Sequence, residues 1–411
     1  MSAKKDLIYM ILYISENPAA KSADVSRRIA ADDMILTSSL PATAGSRMLK
    51  GYMSLFGAEV LTRLGNAGFT LAGKANVGEF AADLLGETSY FGAVEADGKL
   101  SNAAAELLKA GEVSAVITLD VNGYPRRAAA QNGLISLKPT YGTVSRFGVI
   151  PAACSGDTVS IMANDSAAVS KIFAVIAGHD DKDGTSHPEA VCETAKTAAV
   201  PVKRIALPVN LTEGINEDVK GKLAAFTASA EAAGIEVVKV ESDIIAVANI
   251  AWNILMSAEV CNNVSRYDGV KYGYRAENFS GIDELYTNSR TEAFGEFIKS
   301  VIIFGSETLS ADKYKKQYDK ALRIRRLIVE AFAELFSEYD AVLLPACSAL
   351  SYGEVIRADK YAVYTENRFT APASITGLPA VVCGSVQLIG RAFSDGSLLA
   401  AAAKITESEG K

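Results

Sequence analysis

The chain has 411 residues with 41 Lys and Arg against 48 Asp and Glu, a formal charge of −7, and 49% of its residues are hydrophobic. That composition supports a large buried core and excludes a disordered or collagen-like chain. The acidic balance, with no stretch gathering Lys and Arg beyond one solvated helix face, argues against a direct grip on a phosphate backbone.

From the start, Met1 to Asn17 offers two lysines and then a short apolar stretch, Leu7 to Ile14, interrupted by tyrosines. It lacks a small-residue cleavage site, so the reading is a helix and not a signal peptide. Residues 1–30 are expected to be an N-terminal helical segment, with 31–411 forming a single domain. No apolar run approaches the roughly 20 residues that span a bilayer, so no membrane association is expected and the expected location is cytoplasmic.

Ala58 to Ala67 carries apolar residues at helical spacing and stops at Gly68, before the short apolar run Phe69 to Ala72. The pattern recurs. Ala103 to Ala110 reads as helix, Gly111 as its stop and Ala115 to Leu119 as a buried strand. Lys203 to Val209 reads as strand, Val219 to Ala233 as helix and Ile235 to Val240 as strand. Ile324, Leu327, Ile328, Ala331, Leu335 and Phe336 share one face of a long helix, and Ala341 to Leu344 follows as a strand closed by Pro345. Alternation of this kind predicts an α/β layer structure with a sheet covered by helices on both faces.

Five cysteines (Cys154, Cys192, Cys261, Cys347, Cys383) form no close pair and are read as reduced thiols. The two histidines, His179 and His187, fall in a Gly-punctuated acidic run that marks an exposed loop, so neither a metal site nor a cofactor is expected. Gly73-Lys74 lacks the spacing of a phosphate loop. Arg323, Arg325 and Arg326 read as a solvated helix face.

The segment Asn132-Gly-Leu-Ile-Ser-Leu-Lys-Pro-Thr-Tyr-Gly-Thr-Val-Ser-Arg-Phe-Gly148 closely resembles the stretch after the nucleophile in amidase-signature enzymes, above all the glutaminase-type members that serve glutamyl-tRNA(Gln) amidotransferase. Further resemblances run in the same order: Ala72 to Asn76 with Glu79-Phe80, Ile176 to Asp180, Ser265 to Gly273, Arg290 to Gly295, and Gln387 to Gly390. The resemblance implies an amidase-signature α/β/α sandwich around a large mixed central sheet. It also implies a serine nucleophile, a second serine held through a cis peptide bond, and a buried lysine kept neutral enough to act as base. Backbone N–H groups of a Gly-rich turn would hold the oxyanion.

Set against that pattern, the chemistry is missing. The family's Gly-Ser-Asp-Thr-Gly-Gly-Ser-Ile-Arg becomes Thr118-Leu-Asp-Val-Asn-Gly-Tyr-Pro-Arg126, which keeps Asp120, Gly123 and Arg126 in register and puts Tyr124 at the nucleophile. Val121, Asn122 and Gly123 make a degenerate oxyanion turn. The relay serine falls on Leu100, beside Ser101, and the lysine falls on Asp32. Where the glutaminase subunits hold the α-carboxylate with an arginine, this chain has Ser300 and Val301; their aspartate for the α-amino group aligns with Asn367, while Tyr272 survives. Glutamine would lose two charge-assisted contacts. The reading is a catalytically inactive homologue (a pseudoenzyme) that works as a scaffold, regulatory or structural subunit. Its expected partner is a protein, either an amidotransferase-type subunit or an intact paralogue, with no direct nucleic-acid contact; the sequence names no small-molecule ligand. The alternatives are an enzyme with altered chemistry around Asp32, Asp120, Tyr124 and Ser101, and a working glutaminase subunit read in the wrong register. Lys138 to Gly142 is expected to serve packing.

Overall fold

The computed structural model describes residues 12–96, 98–352 and 361–409. Thirteen strands are described: β1 Tyr13–Glu16, β2 Arg28–Asp32, β3 Thr70–Ala75, β4 Glu95–Ala96, β5 Lys99–Leu100, β6 Ala115–Asp120, β7 Ile135–Lys138, β8 Thr158–Ala163, β9 Arg204–Pro208, β10 Glu236–Val240, β11 Ala341–Pro345, β12 Ala380–Cys383 and β13 Val386–Gly390. Eleven of them form one mixed sheet in the order β1-β3-β2-β6-β8-β7-β12-β13-β11-β9-β10, and β4 and β5 form a separate hairpin. β2 pairs parallel with both β3 and β6, and β9 pairs parallel with β10 and β11, while the strands between run antiparallel. The central strands β6, β7, β8, β11, β12 and β13 are buried at every residue, and β11 and β12 accordingly read as short apolar runs without alternation.

The helices that matter for the site are α1 Glu59–Asn66, α2 Ala103–Lys109, α3 Tyr124–Asn132, α4 Ser166–Ile176, α5 Glu217–Ala232, α6 Ala248–Val264, α7 Glu296–Leu309, α8 Tyr318–Glu338 and α9 Asp395–Glu409. α3 packs on β6, β7 and β12, while α4 and α9 pack on each other and cover the opposite face. α6 is sandwiched between α7 and α8. Residues Asp243–Val264 are long and apolar enough to cross a membrane, an apolar stretch that the sequence reading passed over, and more than half of it is buried inside the protein.

The helices and strands read from spacing appear within a few residues of their expected limits. The N-terminal segment differs. Tyr13–Glu16 is a strand that pairs antiparallel with β3, Pro18–Ser22 and Val25–Arg27 are 3₁₀ turns, and β2 begins at Arg28. The expected helix is therefore a strand over its described part, residues 1–11 lying outside the described residues, and the boundary at 30/31 falls inside β2. The reason is tertiary: β3 offers an open edge, and a short run with tyrosine and isoleucine suits that edge better than a free-standing helix.

α3 is tied to the sheet by charge. Arg126 binds Asp120 at the end of β6 with two parallel contacts, Nε to Oδ2 at 2.7 Å and Nη2 to Oδ1 at 3.0 Å, and neither side chain is exposed. The guanidinium is completed by the Thr370 carbonyl at 2.8 Å, Ser374 Oγ at 2.8 Å and Gln387 Oε1 at 3.2 Å. Removing one member of such a pair strands the other charge in the core. Arg126→Met is therefore expected to cost ~3–5 kcal/mol, and combining it with Asp120→Leu should restore part of the loss. Thermal denaturation of the two variants checks this; equal midpoints for single and double variants would contradict it.

Candidate functional site

β6 is followed by a tight turn, Val121-Asn122-Gly123, and then α3. Gly123 has φ 85°, and a Cβ there would come within 2.3 Å of the Thr370 side chain, so the position takes only glycine on both counts. Pro125 sits in the first turn of the helix, where a missing N–H costs no hydrogen bond. All residues from Val121 to Ala130 are buried. The turn is gripped from outside: Arg127 Nη1 donates to the Asn122 carbonyl at 2.7 Å and to Thr370 Oγ1 at 2.9 Å, while its other nitrogens reach the Leu84 and Asp83 carbonyls at 3.1 Å each.

This turn delivers Tyr124 to Asp32. The phenol donates a short hydrogen bond to Asp32 Oδ2, and the Leu119 N–H reaches the same oxygen at 2.8 Å. Both side chains are 1% exposed. Burial pushes the Asp32 carboxyl up to about 7, against the opposing pull of its hydrogen bonds from Tyr124 and Leu119 and of the Lys74 charge. Burial, and then the neighbouring Asp32 charge, push the Tyr124 hydroxyl well above the usual phenol range. A phenol moved away from ionisation and already bonded to Asp32 is poorly placed to attack a carbonyl carbon.

Lys74, which the sequence places in a family-like motif without the spacing of a phosphate loop, acts electrostatically on Asp32. It is fully buried, donates to the Ile35 carbonyl, and is brought down to about 8 by burial, with Asp33 and then Asp32 pulling the other way. In the ladder it stands opposite Ala31, with Ala75 opposite Asp32, so it leaves the sheet on the other face from Asp32. Asp33, in turn, accepts from the Thr43 N–H at 2.7 Å and from the Thr43 hydroxyl.

The remaining residues singled out in the sequence are dispersed. Leu100 lies in the β4–β5 hairpin, half-buried. Ser101 Oγ is engaged by Glu106 Oε1 at 2.5 Å. Asn367 is fully buried; its amide nitrogen donates to Asn122 Oδ1 at 2.8 Å and Asn253 Oδ1 at 2.7 Å, and its own Oδ1 has no hydrogen-bond partner. Ser300 bonds the Phe297 carbonyl at 2.7 Å and Tyr364 Oη at 2.9 Å and lines a cavity of about 380 Å³ that Leu84 also walls. Val301, beside it, is buried. Tyr272 is 40% exposed and lines a different cavity, of about 300 Å³, with Tyr267 and Arg266. The structure thus joins Asp32 to Tyr124 and Asn122 to Asn367, and separates Tyr272 from Ser300.

Sequence reasoning missed Arg127, Lys74, Asn253 and Tyr364. Lys74 stood inside a motif already marked as family-like, which was the one available signal. Nothing in Tyr124-Pro-Arg-Arg-Ala-Ala-Ala130 says that both arginines are buried.

A large mixed sheet between helical layers, with a buried polar turn leading into a helix from a central strand, defines an amidase-type α/β protein. The amidase family model matches residues 29–399, and the chain belongs to the amidase family. It is 37% identical over 393 residues to the A subunit of glutamyl-tRNA(Gln) amidotransferase from Symbiobacterium thermophilum, covering 90% of this chain and 80% of that one. The corresponding protein of Streptococcus pneumoniae serotype 19F is 34% identical over 395 residues, covering 91% and 81%. The crystal structure of its counterpart from Thermotoga maritima superposes with a TM-score of 0.79 at 27% identity, covering 98% of this chain and 90% of that one.

Because burial raises Asp32 from 3.8 to about 7, the folded protein keeps this proton where the unfolded chain has lost it. Its stability contribution is whole below about pH 4 and falls as pH rises to about 7. Asp32→Asn removes that slope, on the order of 1 kcal/mol per pH unit. The variant should gain thermal stability relative to the parent across this window and hold a constant difference above it; parallel pH profiles would show that Asp32 titrates normally.

Proposed function

We propose that this chain acts by binding and not by amide hydrolysis: a catalytically silent relative of the glutaminase component of glutamyl-tRNA(Gln) amidotransferase, serving as a scaffold, regulatory or structural subunit in the cytoplasm. The observation that carries the reading is the Asp32–Tyr124 contact. At the positions that the resemblance gives to the base and the nucleophile stand a carboxyl and a phenol, bonded to each other and closed off from solvent. Removing the nucleophile alone from a serine hydrolase costs roughly a millionfold in turnover, and here the relay position is an alkyl side chain as well. The relatives' own names make them subunits of a larger enzyme, which supports a protein partner, either an amidotransferase-type subunit or an intact paralogue. The net charge of −7 supports a role without direct nucleic-acid contact.

A second reading, an enzyme with altered chemistry, draws on one observation: a carboxyl moved to about 7 can itself take up and release a proton near neutrality. Against it, Asp120 is committed to Arg126 and Ser101 to Glu106.

Purified protein should release no ammonia from glutamine, asparagine or simple amides beyond a nucleophile-less variant of a working amidase. Turnover above that control, abolished by Tyr124→Phe, would establish the second reading. Affinity capture at native expression followed by mass measurement of the intact assembly should recover a partner in fixed stoichiometry, and a lone chain would remove the scaffold role.

A further inference from the structure

Tyr267 carries a hydroxyl that the protein itself does not use. The residue is 4% exposed, and the hydroxyl has no hydrogen-bond partner among the described residues. Its ring is clamped: it stacks on Phe80 with centroids 5.6 Å apart and is met edge-on by Tyr272 at 5.8 Å. Burial, then the neighbouring Tyr272, with Arg266 opposing and Tyr52 adding, pushes the phenol above its usual range, so it stays protonated and donates. Tyr272, Arg266 and Tyr52 all line the cavity of about 300 Å³ that Tyr267 also lines, so the hydroxyl faces into that space. The rest of the wall is largely apolar, built from Leu36, Leu49, Val149, Ile150 and Pro151. Phe56 and Tyr272 line it and are partly exposed, so the cavity is reachable from solvent. Water alone would satisfy the hydroxyl and leave the apolar walls wetted.

Arg266 brings a positive charge to the same space. Its Nε donates to the Asn263 carbonyl at 2.8 Å and its Nη2 to Asn263 Oδ1 at 3.0 Å, while the guanidinium forms no ion pair among the described residues and its Nη1 bonds none of them. Asn263, near the end of α6, donates in turn to the Ala152 carbonyl at 2.9 Å, next to Pro151 of the wall, so the guanidinium is held in place and keeps a free edge. The carboxylate of Asp268, which also acts on Tyr272, is turned to the N–H groups of Val270 and Lys271 at 2.8 and 3.2 Å. We propose that this cavity binds a small organic carboxylate with an apolar body, its oxygens meeting the Tyr267 hydroxyl and Arg266 Nη1 and its body lying on Leu36, Leu49 and Ile150. A phenol and a guanidinium are both donors, and a carboxylate accepts from both with the added strength of its charge. An ammonium meets a like charge at Arg266, and an anion without a body leaves the walls wet. Neither Asp32 nor Tyr124 lines the cavity, so the site stands apart from the question of amide turnover.

Calorimetric titration of the full chain with 3-phenylpropionate, 3-phenylpropanol, 3-phenylpropylammonium and acetate tests it. The phenylpropionate should bind saturably at one site, about tenfold or more tighter than the alcohol and than acetate, with the ammonium not binding. Tyr267→Phe removes the hydroxyl and keeps the ring on Phe80, and Arg266→Gln removes the charge at a solvent-facing position. Each should weaken phenylpropionate about fivefold or more with unchanged circular dichroism. Equal affinity for carboxylate and alcohol, preference for the ammonium, absence of saturable phenylpropionate binding, or undiminished affinity in either folded variant would overturn the assignment. Amide turnover by the same preparation bears on the non-hydrolytic reading alone and leaves the carboxylate site standing.

Discussion

A guanidinium sealed in the core dictates what may surround it. Arg126 has no solvent to turn to, so Asp120, the Thr370 carbonyl, Ser374 and Gln387 must all be in place at once. Those groups come from β6, the loop before Ala371–Thr376, that short helix itself, and β13, and one side chain therefore locks the start of α3 against distant parts of the sheet. Lys138 on β7 feels the consequence: burial, and then the Arg126 charge, bring its ammonium down to about 7, with Asp120 and Asp395 pulling the other way. In the segment that follows, Thr140 binds both oxygens of Asp395 at 2.7 Å and so docks α9.

With the turn between β6 and α3 pinned in this way, Tyr124 has little choice of direction. A serine there would leave space above the sheet, and the phenol fills it and closes it with a carboxyl. The two side chains make sense only together: a buried carboxylate wants a donor, and a buried phenol wants an acceptor. Asn122 and Asn367 repeat the logic nearby, with neutral amides bonding each other across the turn.

How much of this could be read beforehand depended on range. Helices such as Glu217–Ala232 and strands such as Ala341–Pro345 announce themselves because their spacing and their Gly and Pro stops are local. The strand Tyr13–Glu16 does not, because it exists only through its partner β3, more than fifty residues away. Family resemblance put Asp32 and Tyr124 at related positions, yet their bond joins residues 92 apart and follows from the register of β2 on β6. The burial of Lys74 and Arg127 was illegible for the same reason: charged residues read as solvated until tertiary partners are known. Resemblance groups Tyr272 with Ser300, and in the fold the two line separate cavities, a placement that no local pattern carries.

The sheet stops at β10, and its last strand shows why it need not recruit another. Glu236 and Lys239 stand exposed along Glu236–Val240, and Glu236 is clasped by Arg204 of β9 at 2.8 Å directly across the ladder. A foreign strand docking on that side would have to strip water from both charges before forming its first backbone bond. An eleven-stranded platform with a bare margin is a standing invitation to stacking between copies, and the charges along β10 work against it.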